Sequence, residues 1–314
     1  MGIPSLNYYI RKFCPKSIKT CHLKAFEGQT IVIDTSIYLY RFKGNGTIIE
    51  NMYIMCGLFK KYNITPIFVF DGAPPSEKHE TIKRRILKKK EAEEEYNVMK
   101  NNLENVLTKH QRNSIIDKMK VLEKQFIRVK GYEIREVKKF LKVSGIDYTI
   151  AEGEADMVCA KMVVDGKANA CLSDDMDLFV YGCPVVLRHF DLKNQTVLAY
   201  NLKHILTAFD ISLYDFKCLC ILTGTDYSQG NRRKKFGYYY TLYKRFTNHK
   251  DTDFVAWLAC NNNNNIMSII KKNLILFDTN SIQTPQCIVN EIPDEGSIRQ
   301  ILENDKFIFP PSTC

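Results

Sequence analysis

Short apolar, strand-like runs in this chain end, one after another, on an acid. Asp34 closes Thr30-Ile-Val-Ile-Asp34, Asp71 closes Pro66-Ile-Phe-Val-Phe-Asp71, and Asp175 and Asp177 follow Ala170-Cys-Leu-Ser173. Asp226 closes the apolar run Cys218-Leu-Cys-Ile-Leu-Thr-Gly-Thr-Asp226, while Glu152 and Glu154 form an alternating Glu-Gly-Glu pair. Strand signals alternate with helix signals, which predicts an α/β fold, a mainly parallel sheet covered by helices. Strand ends in such a sheet converge on one edge, where ligands bind. One aspartate after an apolar run usually serves a turn or a helix cap. Seven carboxylates in five such blocks are harder to explain structurally, above all the Ser173-Asp-Asp-Met-Asp177 cluster. Gathered at one edge they would repel one another unless hard cations neutralised them, and oxygen-only donors select Mg²⁺. The pattern predicts a two-metal site that cuts phosphodiesters.

Charge supports a polyanionic partner. The chain has 314 residues, 45% of them hydrophobic, and a net charge of +10 despite the concentrated acids, so the rest of its surface is basic. Eleven cysteines occur without a Cys-x-x-Cys pair or a His/Cys cluster, which argues for reduced thiols and against zinc or a disulfide scaffold. No apolar run approaches a membrane span, and the N-terminus lacks a signal-peptide core. Leu6 stands where a myristoylation signal needs Ser or Thr. The expectation is a soluble chain with no membrane partner.

Residues 3–13 and 15–26 read as short helical or loop elements, 30–34 and 66–70 as strands, 153–165 as a helix ended by Gly166, and 168–173 and 185–190 as strands. About eighty residues rich in Lys, Glu, Arg and Asn separate Asp71 from Glu152, far beyond an ordinary α/β connection, so an insertion is expected there. From Asp226 to Phe246 runs a basic, tyrosine-rich helical segment, and the five asparagines 261–265 read as a surface loop. The expected organisation is a core over 1–250, with an insertion at 72–150 and a helical segment at 227–250, followed by a poorly patterned extension, 251–314.

Met1-Gly-Ile3, Ile33-Asp-Thr-Ser36, Val69-Phe-Asp-Gly-Ala-Pro-Pro75, Ala151-Glu-Gly-Glu-Ala155, Asp174-Asp-Met-Asp177 and Gly224-Thr-Asp-Tyr227 stand in this order. That set resembles the structure-specific 5′ nucleases of the XPG superfamily, most closely the flap endonucleases. The resemblance covers residues 1 to about 250 and implies a twisted sheet sandwiched by helices, PIN- or resolvase-like, with a helical arch over the site and a helix–hairpin–helix-like segment on the duplex. It implies that Asp34, Asp71, Glu152, Glu154, Asp175, Asp177 and Asp226 bind two Mg²⁺ ions, which Mn²⁺ can replace. Asp174 is then an extra acid beside them. Water activated there would attack in line, leaving a 5′-phosphate and a 3′-hydroxyl.

Seven carboxylates against two divalent cations leave three net negative charges, so an entering phosphate needs cations nearby. Ile82-Lys-Arg-Arg-Ile-Leu-Lys-Lys-Lys90 in the insertion supplies them, although its Glu–Lys spacing also fits a solvated helix. Lys78 and Arg85 are seven apart, two helical turns, and would share one face. They match the family's arch-base cations, which implies that they stabilise the transition state. Tyr40 coincides with the family tyrosine on which an unpaired base stacks, although Tyr38-Leu-Tyr40 alone reads as core. Gly2, Arg84, Glu152, Gly224 and Asp226 complete the implied contacts to DNA near the site, and Arg232, Arg233, Lys234 and Lys235 those to the duplex. Gly237 matches one hairpin glycine, but Lys235 stands where another would be, which undercuts the family's potassium site.

The stretch from Asp34 to Asp71 is shorter than in cellular flap endonucleases, where it carries a hydrophobic wedge and part of a 3′-flap pocket. Met55 replaces a family arginine that contacts DNA. Gln300 begins no sliding-clamp motif. The implied partner is DNA with a 5′ single-stranded flap or branch, bound by a monomer in replication, repair or recombination. The implied location is the nucleus, the host's if the Asn- and Lys-rich composition reflects a large DNA virus, with a cytoplasmic replication site as the alternative. The alternatives are a junction resolvase or 5′ exonuclease of the same superfamily, and a haloacid-dehalogenase-type phosphatase. The phosphatase motif would need Thr or Val where Phe179 sits.

Overall fold

The computed structural model describes residues 2–103, 108–228, 234–246, 253–262, 265–288, 292–305 and 307. The chain opens with helix α1 (Leu6–Phe13) and strand β1 (Ile18–His22), then β2 (Thr30–Asp34), α2 (Thr35–Asn45), α3 (Ile48–Lys61) and β3 (Thr65–Phe70). Next come α4 (His79–Asn102), α5 (Lys109–Glu123), α6 (Gly131–Val143), β4 (Tyr148–Ile150), α7 (Ala155–Val164) and β5 (Ala170–Leu172). They are followed by β6 (Val185–Asp191), β7 (Thr196–Asn201), α8 (Leu202–Phe209) and α9 (Leu213–Thr223). The remaining helices are α10 (Phe236–Phe246), α11 (Phe254–Asn262), α12 (Asn265–Leu276) and α13 (Glu295–Asn304).

The strands form one seven-stranded sheet in the order β1-β7-β6-β5-β2-β3-β4. β2 pairs in parallel with β3 and β5, β3 with β4, and β5 with β6; β7 and β1 close one edge antiparallel. From β2 the chain steps to β3 on one side, then later to β5 on the other. That reversal opens a crevice at the carboxyl ends of the strands. The central strands are apolar on both faces because both are covered. Val32, Val69 and Cys171 pack under α1 and α7–α12, while Ile31, Ile33, Phe68, Phe70 and Leu172 pack under α2, α3, α6 and α13.

Several elements differ from the sequence reading. The run that ends at Asp226 is helix α9, with Phe216 and Cys218 to Leu222 all buried. A helix buried all round shows no 3.6 period and imitates a strand. It stops at Gly224, whose φ of 117° suits no other residue. Residues 15–26 contain strand β1, an edge strand with no fully buried residue, whose Ile18 and Cys21 pack only partly against the core, so it shows no clean alternation. Among the five asparagines, 261 and 262 end α11 and 265 begins α12. Within 72–150, α4 and α5 pack on each other, whereas α6 and β4 return to the core. Among the described residues after 250, α12 packs against α9 and α13 against α6.

Candidate active site

The carboxyl ends of β2, β3 and β5 and the N-terminus of α7 meet in a cleft of about 740 Å³, roofed by α4. Asp34 ends β2 and accepts from the Ser173 hydroxyl at 2.9 Å; that hydroxyl in turn accepts from the Asp175 amide at 3.1 Å. The Asp177 amide donates to Asp175 Oδ1 at 3.0 Å, and the Asp226 amide to Asp177 Oδ2 at 3.3 Å. Asp71, one residue past β3, accepts from Ser36 and from the first amide of α7, Ala155, at 2.8 Å. Backbone and hydroxyl donors thus aim Asp34, Asp71, Asp175 and Asp177 at one place.

Glu152 is not among them. Its carbonyl accepts from the Ala73 amide at 3.1 Å, and the Gly72 amide donates to the Gly153 carbonyl at 2.7 Å, so these loops lie back to back. The Glu152 side chain points outward and is exposed. Asp156 takes its place: it stands in the first turn of α7, two residues after the N-cap Glu154, and lines the cleft. The alternating acids 152, 154 and 156 carried the signal. The helix begins at 155, so the last two of the three face the site. Asp174 is drawn away as well, paired with Arg41 and accepting from the His189 amide at 2.7 Å.

Burial and crowding leave this charge poorly compensated. The Asp34 carboxyl is pushed up to about 7 by burial and by Asp71, against the Ser173 hydrogen bond. Asp177 and Asp156 are held well above the ordinary carboxylate range, mainly by burial and then by neighbouring acids. Asp177 Oδ1 is buried without a hydrogen-bond partner. Burial alone would lower the Lys78 pKa, but Glu154, Asp156 and Asp226 outweigh it and raise it. Lys78 forms ion pairs with Glu154 and, at 3.2 Å, with Asp226; Arg85 holds both Asp226 oxygens at 2.8 Å. Both cations face the acids, Lys78 from the turn before α4 and Arg85 from α4 itself. Among the described residues no three carboxylate, imidazole or thiol groups stand ready-grouped around one ion. The unpartnered Asp177 oxygen and the oxygen-only donor set nevertheless fit a divalent cation, with Lys78 and Arg85 as the counter-charges that would yield to it.

The implied DNA contacts fall in different places. A Cβ on Gly2 would lie 2.5 Å from Asp175 Oδ1 and 2.7 Å from Asp177 Oδ1, so the start of the chain touches the acid loop. Tyr40 is 43% exposed in the cleft, and its ring is capped by Lys89 Nζ at 4.6 Å. Lys234 lies over Tyr238 at 4.3 Å. Gly237 is buried, and an added Cβ would collide with the Tyr9 ring, so this glycine seats α10 on α1. Arg232 and Arg233 lie outside the described residues. Met55 is fully buried in α3.

Two family descriptions match: the XPG N-terminal domain over residues 1–92 and the XPG I-region over 145–226, together more than half of the chain. Flap endonuclease 1 of Leishmania braziliensis is 32% identical over 249 residues, covering 72% of this chain and 60% of its own length. Flap endonuclease 1 of Xenopus tropicalis is 28% identical over 248 residues, covering 73% and 62%. The chain thus spans about three fifths of the length of these curated relatives. The catalytic core of Rad2 in complex with a DNA substrate superposes with a TM-score of 0.67 at 19% identity, covering 97% of this chain and 95% of that one. Flap endonuclease-1 from Methanococcus jannaschii gives 0.61 at 22%, covering 94% and 92%. At these identities the structural likeness establishes a shared fold.

Proposed function

The chain belongs to the XPG family, and from that premise we propose that it is a metal-dependent, structure-specific nuclease that hydrolyses phosphodiesters in DNA with a 5′ flap or branch. What carries this reading is the convergence of Asp34, Asp71, Glu154, Asp156, Asp175, Asp177 and Asp226 beneath Lys78 and Arg85 in one cleft. These seven acids would hold two Mg²⁺ ions, or Mn²⁺, which when bound supply water activation and charge neutralisation at the phosphate. Ser36, Ser173 and the amides of Ala155 and Asp226 fix the carboxylates in orientation, so little rearrangement accompanies the chemistry. Lys78 and Arg85 transfer their charge from Glu154 and Asp226 to the entering phosphate once those carboxylates act as ligands. Thr81 Oγ1, donating to the Asp226 carbonyl at 2.8 Å, ties the base of α4 to the same loop.

A single strand entering beneath α4 would meet the Tyr40 ring, and Lys89 must leave that ring before a base can stack on it. The protein would act as a monomer where genomic DNA is processed. Labelled 5′-flap, nicked, gapped and four-way-junction substrates, each incubated with Mg²⁺, test the proposal. Cleavage of the flap with release of 5′-phosphate ends is expected. Preferred cutting of the four-way junction would make the chain a resolvase of the same family, and inertness toward all four would end the reading.

A further inference from the structure

Behind Glu154 two tyrosine hydroxyls stand in line. Tyr227 donates to Glu154 Oε2, and the Tyr181 hydroxyl lies 2.7 Å from that of Tyr227. The other Glu154 oxygen, Oε1, faces Lys78. A phenol has one proton to give. With the Tyr227 proton on Glu154, its oxygen is left as the acceptor for Tyr181, so the hydrogen bonds run in one direction, Tyr181 to Tyr227 to Glu154. Without the Tyr181 hydroxyl, nothing on that side would hold the Tyr227 oxygen as an acceptor.

Both rings rest on one further side chain. Phe277 packs against Tyr181 with ring centroids 4.8 Å apart and against Tyr227 at 5.3 Å. It directly follows α12 and is fully buried, and its carbonyl accepts from Lys217 Nζ of α9 at 3.4 Å. Phe277 lies some fifty residues beyond the end of the second family match, in a part of the chain to which the sequence assigned no role. Phe277 covers one side of the hydroxyl chain, with Tyr181 buried and Tyr227 partly buried, and low local polarity there strengthens its hydrogen bonds.

We infer that Tyr181 and Phe277 are positioning residues of the metal site: they fix Tyr227 as a one-way donor to Glu154 and make the end of α12 part of the active centre. The inference rests on Glu154 being a metal ligand. Tyr227 anchors one Glu154 oxygen while the other exchanges Lys78 for a cation. Groups that orient a ligand from behind commonly change metal affinity by about 10–100-fold.

The test is calorimetric titration of the full chain with Mn²⁺ in the absence of DNA, beside thermal denaturation without metal. Tyr181→Phe keeps the ring and removes one hydroxyl, and should raise the Mn²⁺ Kd about three- to tenfold with little change in the metal-free Tm. Tyr227→Phe should raise it further. Phe277→Leu, chosen in case Phe277→Ala fails to fold, should weaken Mn²⁺ binding by more than its loss of Tm accounts for. An unchanged Kd in Tyr181→Phe, in a chain whose unmodified form binds Mn²⁺, overturns this inference alone. Failure of the unmodified chain to bind Mn²⁺ overturns it together with the metal-site reading.

Discussion

Glu152 and Asp156 differ by one methylene, yet the fold gives them opposite surroundings, one in solvent and one in the cleft. Asp156→Asn should therefore lower single-turnover cleavage by about a hundredfold or more, beyond the cost of losing an outer-shell group. Glu152→Gln should stay within about threefold, as an exposed charge contributes little. Comparable losses in the two variants would restore Glu152 to the ligand set. Lys78→Ala and Arg85→Ala should each slow the chemical step by roughly 10²–10³, the cost of one charged stabiliser at a developing charge, with affinity for the flap reduced much less. Equal losses of rate and affinity would reduce both residues to ordinary phosphate contacts. Asp34 adds a pH dependence with a definite sign. Its folded pKa of about 7 lies above the ordinary 3.8, so its stabilising contribution to the metal-free protein is complete below 3.8 and is lost as pH rises through about 7. Metal binding needs the deprotonated form and gains over the same interval. The rise in Tm on adding Mg²⁺ should thus be larger at pH 8 than at pH 6, as differential scanning fluorimetry can read; an equal rise at both would contradict the Asp34 shift.

At the level of elements, Gly237 separates packing from DNA contact. It seats α10 on the Tyr9 ring of α1, so Gly237→Ala should cost about 1–3 kcal/mol of stability through overpacking. Tyr9→Leu should recover part of that loss in urea denaturation. A glycine kept for a phosphate would instead lose duplex affinity at unchanged stability. The same distinction explains what the sequence could convey. Strands β2 and β3 were legible because three to five apolar residues ending on an acid allow few other structures, and the Asp175–Asp177 loop because three acids in four residues have little structural use. Helix α9 was read as extended because burial on all sides erased its period. Strand β1 was missed because an edge strand needs no apolar face. The exposure of Glu152 is a matter of phase. Alternating acids keep the same side of an extended chain, but α7 starts between the second and third, and the backbone contacts of Gly72 and Ala73 with residues 152 and 153 accompany the outward turn of the first. Contacts distant in sequence, such as Phe277 on Tyr181, leave no local pattern at all.

Across the whole molecule, the acids occupy one cleft of a chain whose net charge is +10, so on the proposed function the rest of the chain would attract a polyanion at long range while the cleft itself would repel phosphate unless cations were bound. Affinity and precision are then separable. Affinity comes from distributed basic residues, whereas precision requires rigid contacts on both sides of the scissile bond. On one side of the cleft stand Lys78, from the turn before α4, and Arg85 and Lys89 of α4. On the other, α2 and α3 are joined through only Gly46 and Thr47, and Met55 is sealed in the core. In the family, that region holds the wedge and the 3′-flap pocket. Remote contacts of this kind raise the rate by spending binding energy on alignment at the reacting bond. With that segment reduced to a tight link, the contribution should be small. A double flap carrying one unpaired 3′ nucleotide should be cut no more than about threefold faster than the same flap lacking it, and the cut should scatter over neighbouring positions in both. Single-turnover rates and product lengths on the two substrates decide the matter. A strong preference for the double flap with one sharp product would mean that other residues of this chain have rebuilt the pocket.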